Sequence, residues 1–410
     1  MFYIYEFLFL ILVIISPIIF LIRLVSGKED PKRFLEKFCL YSKGQNKNKT
    51  IWFHGASLGE ISSIIPIIEV LEKNKKIKKI LLTSSTTSSA SIIKKYKFKK
   101  TTHVFFPIDT NYLTNRFIRY WKPQIALFVD SEIWPNMYKN LYKNKIPIIL
   151  LNGRITKKSF LRWRRFPSFS KKIFSKISMA MPQNTETLKY LKTLGVKKIK
   201  ICGNLKYFGK SKKILDKNTK KLFRNRLIFC AASTHYNEEL FIGKIHKELR
   251  LKYNNLLTIL IPRHINRSEA ITNELENIDL KIITRSSKKK ISKNTDIYMI
   301  DTYGETSRFY GLSNITFLGG SLVPHGGQNP LEPARMGSYI LHGPYTQNFK
   351  EIYILLSKLN VSSKINNIAN MKKIAIKKIK YKQPRNVSQK LIFMGDEILK
   401  KNLNEIKKYF

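Results

Sequence analysis

The chain has 410 residues, enough for two ordinary domains and a tether. Hydrophobic residues make up 43%, and 18 Gly with 15 Pro exclude a collagenous or low-complexity chain. Three widely spaced cysteines (Cys39, Cys202 and Cys230) without a C-x-x-C pair argue against a disulfide scaffold and a thiolate zinc site. Lys and Arg number 76 against 27 Asp and Glu, a formal charge of +49. Charge of that sign favours anionic partners such as nucleic acid, lipid headgroups or phosphorylated substrates. The lysines are spread along a chain also rich in Ile and Asn, so a solvated surface accounts for the excess as well as a binding face does.

The first element is apolar. Phe2–Ile22 reads FYIYEFLFLILVIISPIIFLI, with Glu6 its only charge and Pro17 interrupting it. A spanning helix needs about 20 such residues, so the segment reads as a short span, a monotopic insertion or a buried helix. It lacks the basic start and small-residue cleavage site of a signal peptide. Arg23, Lys28, Lys32, Arg33 and Lys37 follow, and cations on that flank place the body on the cytoplasmic side. Residues 1–27 are expected to be a membrane anchor.

From residue 50 on, short apolar runs alternate with amphipathic ones. Strands are expected at Thr50–His54, Ile80–Ser84, Val104–Phe106, Ile125–Val129, Ile148–Leu151, Met179–Met181 and Ile199–Cys202. Helices fall between them at Ile61–Lys73, Thr86–Lys94, Tyr112–Tyr120, Met137–Tyr142 and Thr185–Leu194. A basic stretch, Lys210–Lys221, reads as a linker. A second series has strands at Leu227–Ala231, Thr258–Ile261, Lys281–Thr284, Ile297–Ile300, Ile315–Leu318 and Tyr339–Leu341. Its helices are Glu238–Lys252, Arg267–Glu276 and Glu305–Leu312, and the tail from Ile352 reads as helices. Alternation at this spacing predicts an α/β chain with two doubly wound parallel sheets. The expected domains are 28–209 and 225–385, with a linker at 210–224 and a C-terminal helix at 386–410. Ligands of such sheets bind beyond the carboxyl ends of the strands, here expected in a cleft between the domains.

The informative residues cluster there. His54-Gly55-Ala56-Ser57-Leu58-Gly59-Glu60 joins a strand to a helix. Its glycines permit close approach of a backbone, and Ser57 and Glu60 suit either helix capping or chemistry. Asp130-Ser131-Glu132-Ile133-Trp134-Pro135-Asn136 carries two carboxylates, fit for a base, a metal or the anchoring of a turn. Asn152-Gly153-Arg154 follows the next strand. After it, Lys157, Lys158, Arg162, Arg164 and Arg165 interleave with Trp163 and Phe166, a pattern suited to lipid headgroups or nucleic acid.

In the second half, Ser233-Thr234-His235 is a small-residue turn, and Asn237-Glu238-Glu239 opens a helix, whose N-terminus suits phosphate. Pro262-Arg263-His264 places a guanidinium at a strand's carboxyl end, a clamp for phosphate or carboxylate. Asp301-Thr302-Tyr303-Gly304-Glu305 repeats the strand–turn–helix pattern. Last come Gly319-Gly320-Ser321 and Pro324-His325-Gly326-Gly327-Gln328-Asn329-Pro330-Leu331-Glu332. Glu332, in a first helical turn, can accept both hydroxyls of a ribose. Together these loops are typical of a sugar-nucleotide enzyme.

In this order, from the N-terminal segment to about residue 350, the motifs resemble the 3-deoxy-D-manno-octulosonic acid (Kdo) transferases of lipopolysaccharide synthesis. The blocks S-E-I-W-P-N and G-G-S-L-V-P-H-G-G-Q-N-P-L-E-P-A are the most specific; H-G-A-S-L-G-E, N-G-R-I-T-K-K-S, G-N-L-K, A-A-S-T-H, P-R-H and D-T-Y-G-E add to them. The chain departs from the family at Ile265-Asn266, where Pro-Glu is usual, at Phe208, where Asp is usual, and at Asp130-Ser131.

The resemblance implies a GT-B fold and an inverting transfer of Kdo from CMP-Kdo to lipid IVA, the anionic lipid A precursor, at the cytoplasmic face of a bacterial inner membrane. It implies Glu60 as general base. Ser57, Gly59, Asp130, Glu132, Arg154 and Lys206 then position the acceptor or the transition state. Ser233, Thr234, Pro262, Arg263, Gly304, Glu305, Ser321, Asn329 and Glu332 hold the donor. CMP-Kdo is a co-substrate, and no metal and no cofactor are expected. Two other readings stay open: a membrane-associated GT-B enzyme using a UDP-sugar, and a membrane-tethered nucleic-acid-binding protein.

Overall fold

A computed structural model describes residues 2–27, 29–41, 49–208 and 221–410. The chain divides into two compact units: Met1–Phe208 with Gly395–Phe410, and Gly209–Met394. Residues 210–220, the body of the expected linker, lie outside the described residues.

In the first unit the strands are β1 (Thr50–His54), β2 (Ile80–Ser84), β3 (Thr101–Phe105), β4 (Pro123–Val129), β5 (Ile148–Gly153) and β6 (Met179–Pro182). They form one sheet of order β3-β2-β1-β4-β5-β6, and every pairing is parallel. The helices are α1 (Phe2–Val25), α2 (Leu58–Glu72), α3 (Thr87–Lys94), α4 (Asn111–Trp121), α5 (Pro135–Lys143), α6 (Lys157–Arg164), α7 (Pro167–Phe174) and α8 (Thr185–Leu194). Both faces of the sheet are covered, so its strands alternate between two cores rather than between core and water. Trp52, Ala126, Phe128, Leu150 and Ala180 pack into one. Ile51, Phe53, Ile125, Leu127, Val129, Ile149 and Leu151 pack into the other, joined by Ile398, Leu403 and Ile406 from the C-terminal end of the chain.

The second unit contains β7 (Leu227–Thr234), β8 (Leu256–Pro262), β9 (Ile282–Thr284), β10 (Ile297–Met299), β11 (Ile315–Leu318), β12 (Tyr339–His342) and β13 (Ser362–Lys364). Their order is β13-β12-β11-β7-β8-β10-β9, again parallel throughout. Its helices are α9 (Glu238–Arg250), α10 (Ser268–Glu276), α11 (Thr306–Tyr310), α12 (Leu331–Arg335), α13 (Lys350–Lys358) and α14 (Ile368–Lys378); α15 (Arg385–Ile406) follows.

Three elements differ from expectation. Ile199–Cys202 is not a strand: Ile199 makes a single bridge to Ala180, and the sheet ends at β6. The tail is not all helical, because Ser362–Lys364 pairs with β12 as an edge strand too short to show a period. The basic, aromatic stretch after Arg154 forms α6 and α7. Thr156 caps α6, and Pro167 stands in the first turn of α7, where its missing N–H costs nothing.

Helix α1 is tied to the first unit by its first turns. Tyr5 donates from its hydroxyl to Asp109 at 2.7 Å, and Lys139 pairs with Glu6 at 2.9 Å. Further along, Ile14, Ile18, Leu21, Ile22 and Val25 are exposed. Several other α1 side chains are outside the described set. Among the described residues no helix is long and apolar enough to cross a membrane.

Asp109 is fully buried and also accepts the N–H groups of Asn136 at 3.0 Å and Met137 at 2.8 Å, so it caps α5 as well as holding α1. Burial pushes its carboxyl up to about 6, against the pull of these donors. A carboxyl whose native pKa is raised favours the fold most when protonated, so its contribution is present at low pH and lost as pH rises through about 6. Relative to D109N, the wild-type chain should therefore gain up to about 3 kcal/mol between pH 7 and pH 4, at 1.36 kcal/mol per unit. Denaturant titrations of both proteins at the two pH values measure this, and a constant difference would show that Asp109 does not titrate as described.

Candidate functional site

In a doubly wound sheet the ligand site lies where the strand order reverses, because the loops of the two neighbouring strands part there. In the first unit that point is between β1 and β4; the polar His54 closes β1, and the polar Asp130 directly follows β4. His54 closes β1 and is fully buried, stacked on Phe106 with ring centroids 3.9 Å apart. Its Nε2 lies 3.1 Å from Glu132 Oε2, and the Trp134 indole N–H donates to the same oxygen at 2.8 Å. Burial pushes the Glu132 carboxyl up, but the His54 and Trp134 donors outweigh it and leave it below the usual range.

Glu60 stands in the first turn of α2. Ser57 caps that helix and donates to Glu60 Oε1 at 2.8 Å, while the Ala56 N–H donates to Oε2, also at 2.8 Å. The capping arrangement is therefore present. It engages one donor per oxygen, and an ionised carboxylate has about four lone-pair sites, so acceptor capacity remains. Burial raises the Glu60 pKa, and the negative charges of Glu132 and then Asp130 add to the rise against the Ser57 and Ala56 bonds. Glu60 thus binds a proton more tightly than a free glutamate does.

Asp130 begins the β4 loop in the left-handed region, at φ 63°, as does Asn152 at φ 53° in β5. Lys206 reaches Asp130 Oδ2 at 3.3 Å, and the Arg154 N–H donates to the Asp130 carbonyl at 3.0 Å. Burial raises the Asp130 carboxyl, and the Lys206 and Arg154 charges oppose that rise. The N-G-R and G-N-L-K blocks are joined directly, since the Leu205 N–H donates to Asn152 Oδ1 at 2.9 Å. Lys206 therefore reaches the site although Phe208 departs from the family pattern. Of the two glycines beside Glu60, Gly55 is the closely packed one. A Cβ there would lie 3.1 Å from Glu60 Cβ, whereas one at Gly59 would meet nothing within 4 Å.

The second unit reverses its strand order between β7 and β11. Here the organiser is Glu238, almost fully buried in the first turn of α9. Its Oε2 accepts the N–H groups of His235 at 2.9 Å and Gly320 at 2.7 Å; its Oε1 accepts those of Ser321 at 3.1 Å and Leu322 at 2.9 Å. Gly319 must be glycine, because a Cβ there would lie 2.4 Å from the Ser233 carbonyl oxygen. Ser233 is left-handed at φ 56°, and Thr234 is buried, its carbonyl accepting the Arg263 N–H at 2.9 Å. The Arg263 side chain is exposed just past Pro262, the last residue of β8.

The His235 ring stacks on His325 at 4.4 Å and meets His264 edge-on at 5.8 Å. Burial first, then the His325 charge, lowers the His235 pKa to about 4. The Ser321 hydroxyl is bonded within the protein, to the Leu318 carbonyl at 2.5 Å and the Gly343 N–H at 2.8 Å. Glu305, next to the exposed and left-handed Gly304, pairs with Arg285 and Arg308 at 3.3 and 3.1 Å. Asn329 Oδ1 accepts the Leu331 N–H at 3.1 Å, opening the short helix that carries Glu332 in its first turn.

Sequence reasoning missed four contributors. His54 and Glu238 lie inside quoted blocks but received no site role. Thr83 in β2 and Arg285 just past β9 have no motif around them, so nothing local marks them. Among the described residues no group of three His, Cys, Asp or Glu side chains could hold a metal ion.

Two Rossmann-like parallel sheets, each with polar loops at its switch point, define the GT-B class of glycosyltransferase fold. The solved UDP-GlcNAc 2-epimerase from Neisseria meningitidis bound to UDP-GlcNAc shares it at a TM-score of 0.58, covering 88% of this chain and 99% of that one at 13% identity. A family model described as 3-deoxy-D-manno-octulosonic-acid transferase (kdotransferase) matches residues 32–208. The 3-deoxy-D-manno-octulosonic acid transferase of Haemophilus influenzae is 31% identical over 370 residues, 88% of this chain and 87% of that one. That of Rickettsia bellii is 30% identical over 415 residues, 99% of both. The chain belongs to the Kdo transferase family of glycosyltransferases.

The Glu238 cage sets an expectation for the second unit. In Glu238→Gln an amide NH2 faces backbone N–H groups, and two of the four donors lose their acceptor. Each buried unsatisfied donor costs about 1–3 kcal/mol, so the unit should lose roughly 3 kcal/mol of unfolding free energy. Urea titration reads this directly, and a loss under about 0.5 kcal/mol would mean that the loops are held by something else.

Proposed function

We propose that this Kdo transferase uses CMP-Kdo as donor and lipid IVA as acceptor, with Glu60 as general base and inversion at the anomeric carbon. The observation that carries the mechanism is the Glu60 carboxyl, which keeps lone pairs and has its proton affinity raised by burial and by Glu132. Glu60 takes the proton of the acceptor hydroxyl as that oxygen attacks the anomeric carbon of Kdo. Attack opposite to the departing CMP inverts the centre in one step through an oxocarbenium-like transition state. Asp130, Glu132, Arg154 and Lys206 position the acceptor and balance charge around it.

The donor binds in the second unit. Arg263 and the Ser233–Thr234 turn face the phosphate, which leaves as an anion and is stabilised by that charge and by loop N–H groups. Gly304, Glu305, Asn329 and Glu332 hold the nucleotide and its ribose. The cationic loops supply the charge that a metal supplies elsewhere, so turnover proceeds without one. The exposed apolar side chains of α1 support attachment to the cytoplasmic face of the inner membrane, where the anionic lipid acceptor resides.

Incubation with CMP-Kdo or a panel of UDP-sugars and tetraacylated lipid A precursor, followed by mass analysis, tests donor and acceptor together. Glu60→Gln keeps the size of the side chain but cannot take the proton, so the rate should fall about 10²–10⁴-fold with CMP-Kdo affinity unchanged. Near-normal turnover in that variant would remove the base assignment and point to Asp130 or Glu132. A metal chelator should leave the rate of the wild-type enzyme unaltered. Loss in EDTA that magnesium restores would instead make Asp130 and Glu132 metal ligands.

A further inference from the structure

The His54 side chain belongs to a chain of hydrogen bonds that the transfer mechanism above does not use. Its Nδ1 lies 2.9 Å from the Thr83 hydroxyl, and the Trp52 indole N–H donates to that same hydroxyl at 2.9 Å. Trp52, His54 and Thr83 are all fully buried. A hydroxyl has one hydrogen and two lone pairs. The Trp52 donor takes one lone pair, so the hydroxyl is free to direct its hydrogen to His54 Nδ1, the nearer of its two acceptors; the other, the Phe53 carbonyl, lies 3.4 Å away. Nε2 then carries the imidazole hydrogen, as an acceptor-only carboxylate at 3.1 Å demands.

The parallel register makes this possible. His54 and Thr83 are partners across β1 and β2, so both end at the same edge of the sheet. His54 is further clamped between rings, flat on Phe106 and edge-on to Phe128 and Trp134.

We propose that His54 is a positioning residue of the acceptor site: its Nε2–H, set in that tautomer by Thr83 and Trp52, holds Glu132 as a fixed negative neighbour of Glu60. Both donors to Glu132, His54 and Trp134, meet Oε2, which leaves Oε1 for the acceptor substrate. This rests on the reading of Glu60 as base and deepens it. The groups facing Glu132 are His54 from β1, Glu60 from α2, and Asp130 with its Lys206 and Arg154 partners; Tyr138 of α5 donates to the Glu132 carbonyl at 2.9 Å. Among these His54 and Trp134 are the hydrogen-bond donors to the carboxylate. Removing His54 leaves Glu132 one donor and raises its proton affinity, and wherever Glu132 takes up a proton it no longer lifts that of Glu60.

The test is a set of single and double variants of the full chain, assayed with CMP-Kdo and tetraacylated lipid A precursor. His54→Leu should lower kcat/KM for the acceptor about 10- to 100-fold, the loss usual when a group that orients a site residue is removed. The KM for CMP-Kdo should stay within about twofold, and the acid limb of the pH–rate profile should move to lower pH. His54→Gln, which restores an N–H near Glu132, should recover most of the loss. In a Glu132→Gln background, His54→Leu should add no further loss, because the residue acts through that carboxylate.

Multiplicative losses in the double variant, or an unmoved acid limb, would overturn the proposal and leave His54 a packing residue. Thr83→Val, which removes the hydroxyl at near-constant volume, gives the same readouts should His54→Leu fail to fold. It should show a smaller loss that is again absent in the Glu132→Gln background, and a loss that persists there would overturn the proposal. Glu60→Gln run in parallel keeps the two readings separate. Normal turnover in that variant removes the base, whereas the dependence of His54 on Glu132 is read from the double variant alone.

Discussion

All strand pairings in both sheets are parallel, and this single constraint places the chemistry. Parallel strands need crossover helices, so every strand ends at the same edge of its sheet and every β-to-α loop gathers there. Backbone N–H groups in these loops, and in the first turns of the following helices, lack intrahelical partners. Carboxylates satisfy them: Glu60 takes the Ala56 N–H, Asp109 takes those of Asn136 and Met137, and Glu238 takes four from two loops. In a chain of charge +49 the buried acids divide: Asp109 and Glu238 are held by backbone amides, whereas Glu29, Asp130, Glu239 and Glu405 pair with Lys or Arg side chains. An amide anchored in the backbone fixes geometry, while a lysine on a flexible stem does not.

The same edge carries the unusual backbone. Asp130, Asn152 and Ser233 are left-handed without being glycine, and all three sit at or just beyond the end of a strand, in loops that bear the candidate site. Such conformations persist only where surrounding bonds over-determine them. Here the bonds are visible: Asp130 is tied through its own N–H to Leu151 and through its carbonyl to Arg154, and Asn152 is tied through its side chain to Leu205. The turns aim the Asp130 side chain and the Ser233 carbonyl in directions that an extended strand would not reach.

The balance of acids in the first unit follows from these contacts. Glu60, Asp130 and Glu132 are neighbours, and three like charges in a partly buried site cannot ionise independently. His54 and Trp134 hold Glu132 below its usual range, while Glu60 and Asp130 are both raised by burial. Separation of neighbouring carboxyls by environment is a common way for a site to divide structural and proton-accepting roles.

Much was legible in the sequence. Alternating apolar and amphipathic runs at β/α spacing specified two parallel sheets, because only burial on both faces makes a strand apolar throughout. The positions of glycines, acids and arginines just past those runs located the loops that matter, and blocks such as S-E-I-W-P-N named the family. Short or edge elements were not legible: β13 is three residues with no period, and α6 and α7 were hidden in a run of arginines and aromatics. Which glycine is closely packed was also invisible, since Gly55 and Gly59 look alike until Glu60 and Ile61 are seen against the first and nothing against the second. What the tertiary structure alone decided is partnership. That Thr83 reaches His54, that Arg285 meets Glu305, and that one carboxylate at Glu238 holds loops more than eighty residues apart depends on strand order and register. These bonds join residues distant along the chain, and no local pattern of residue types encodes which strands become neighbours.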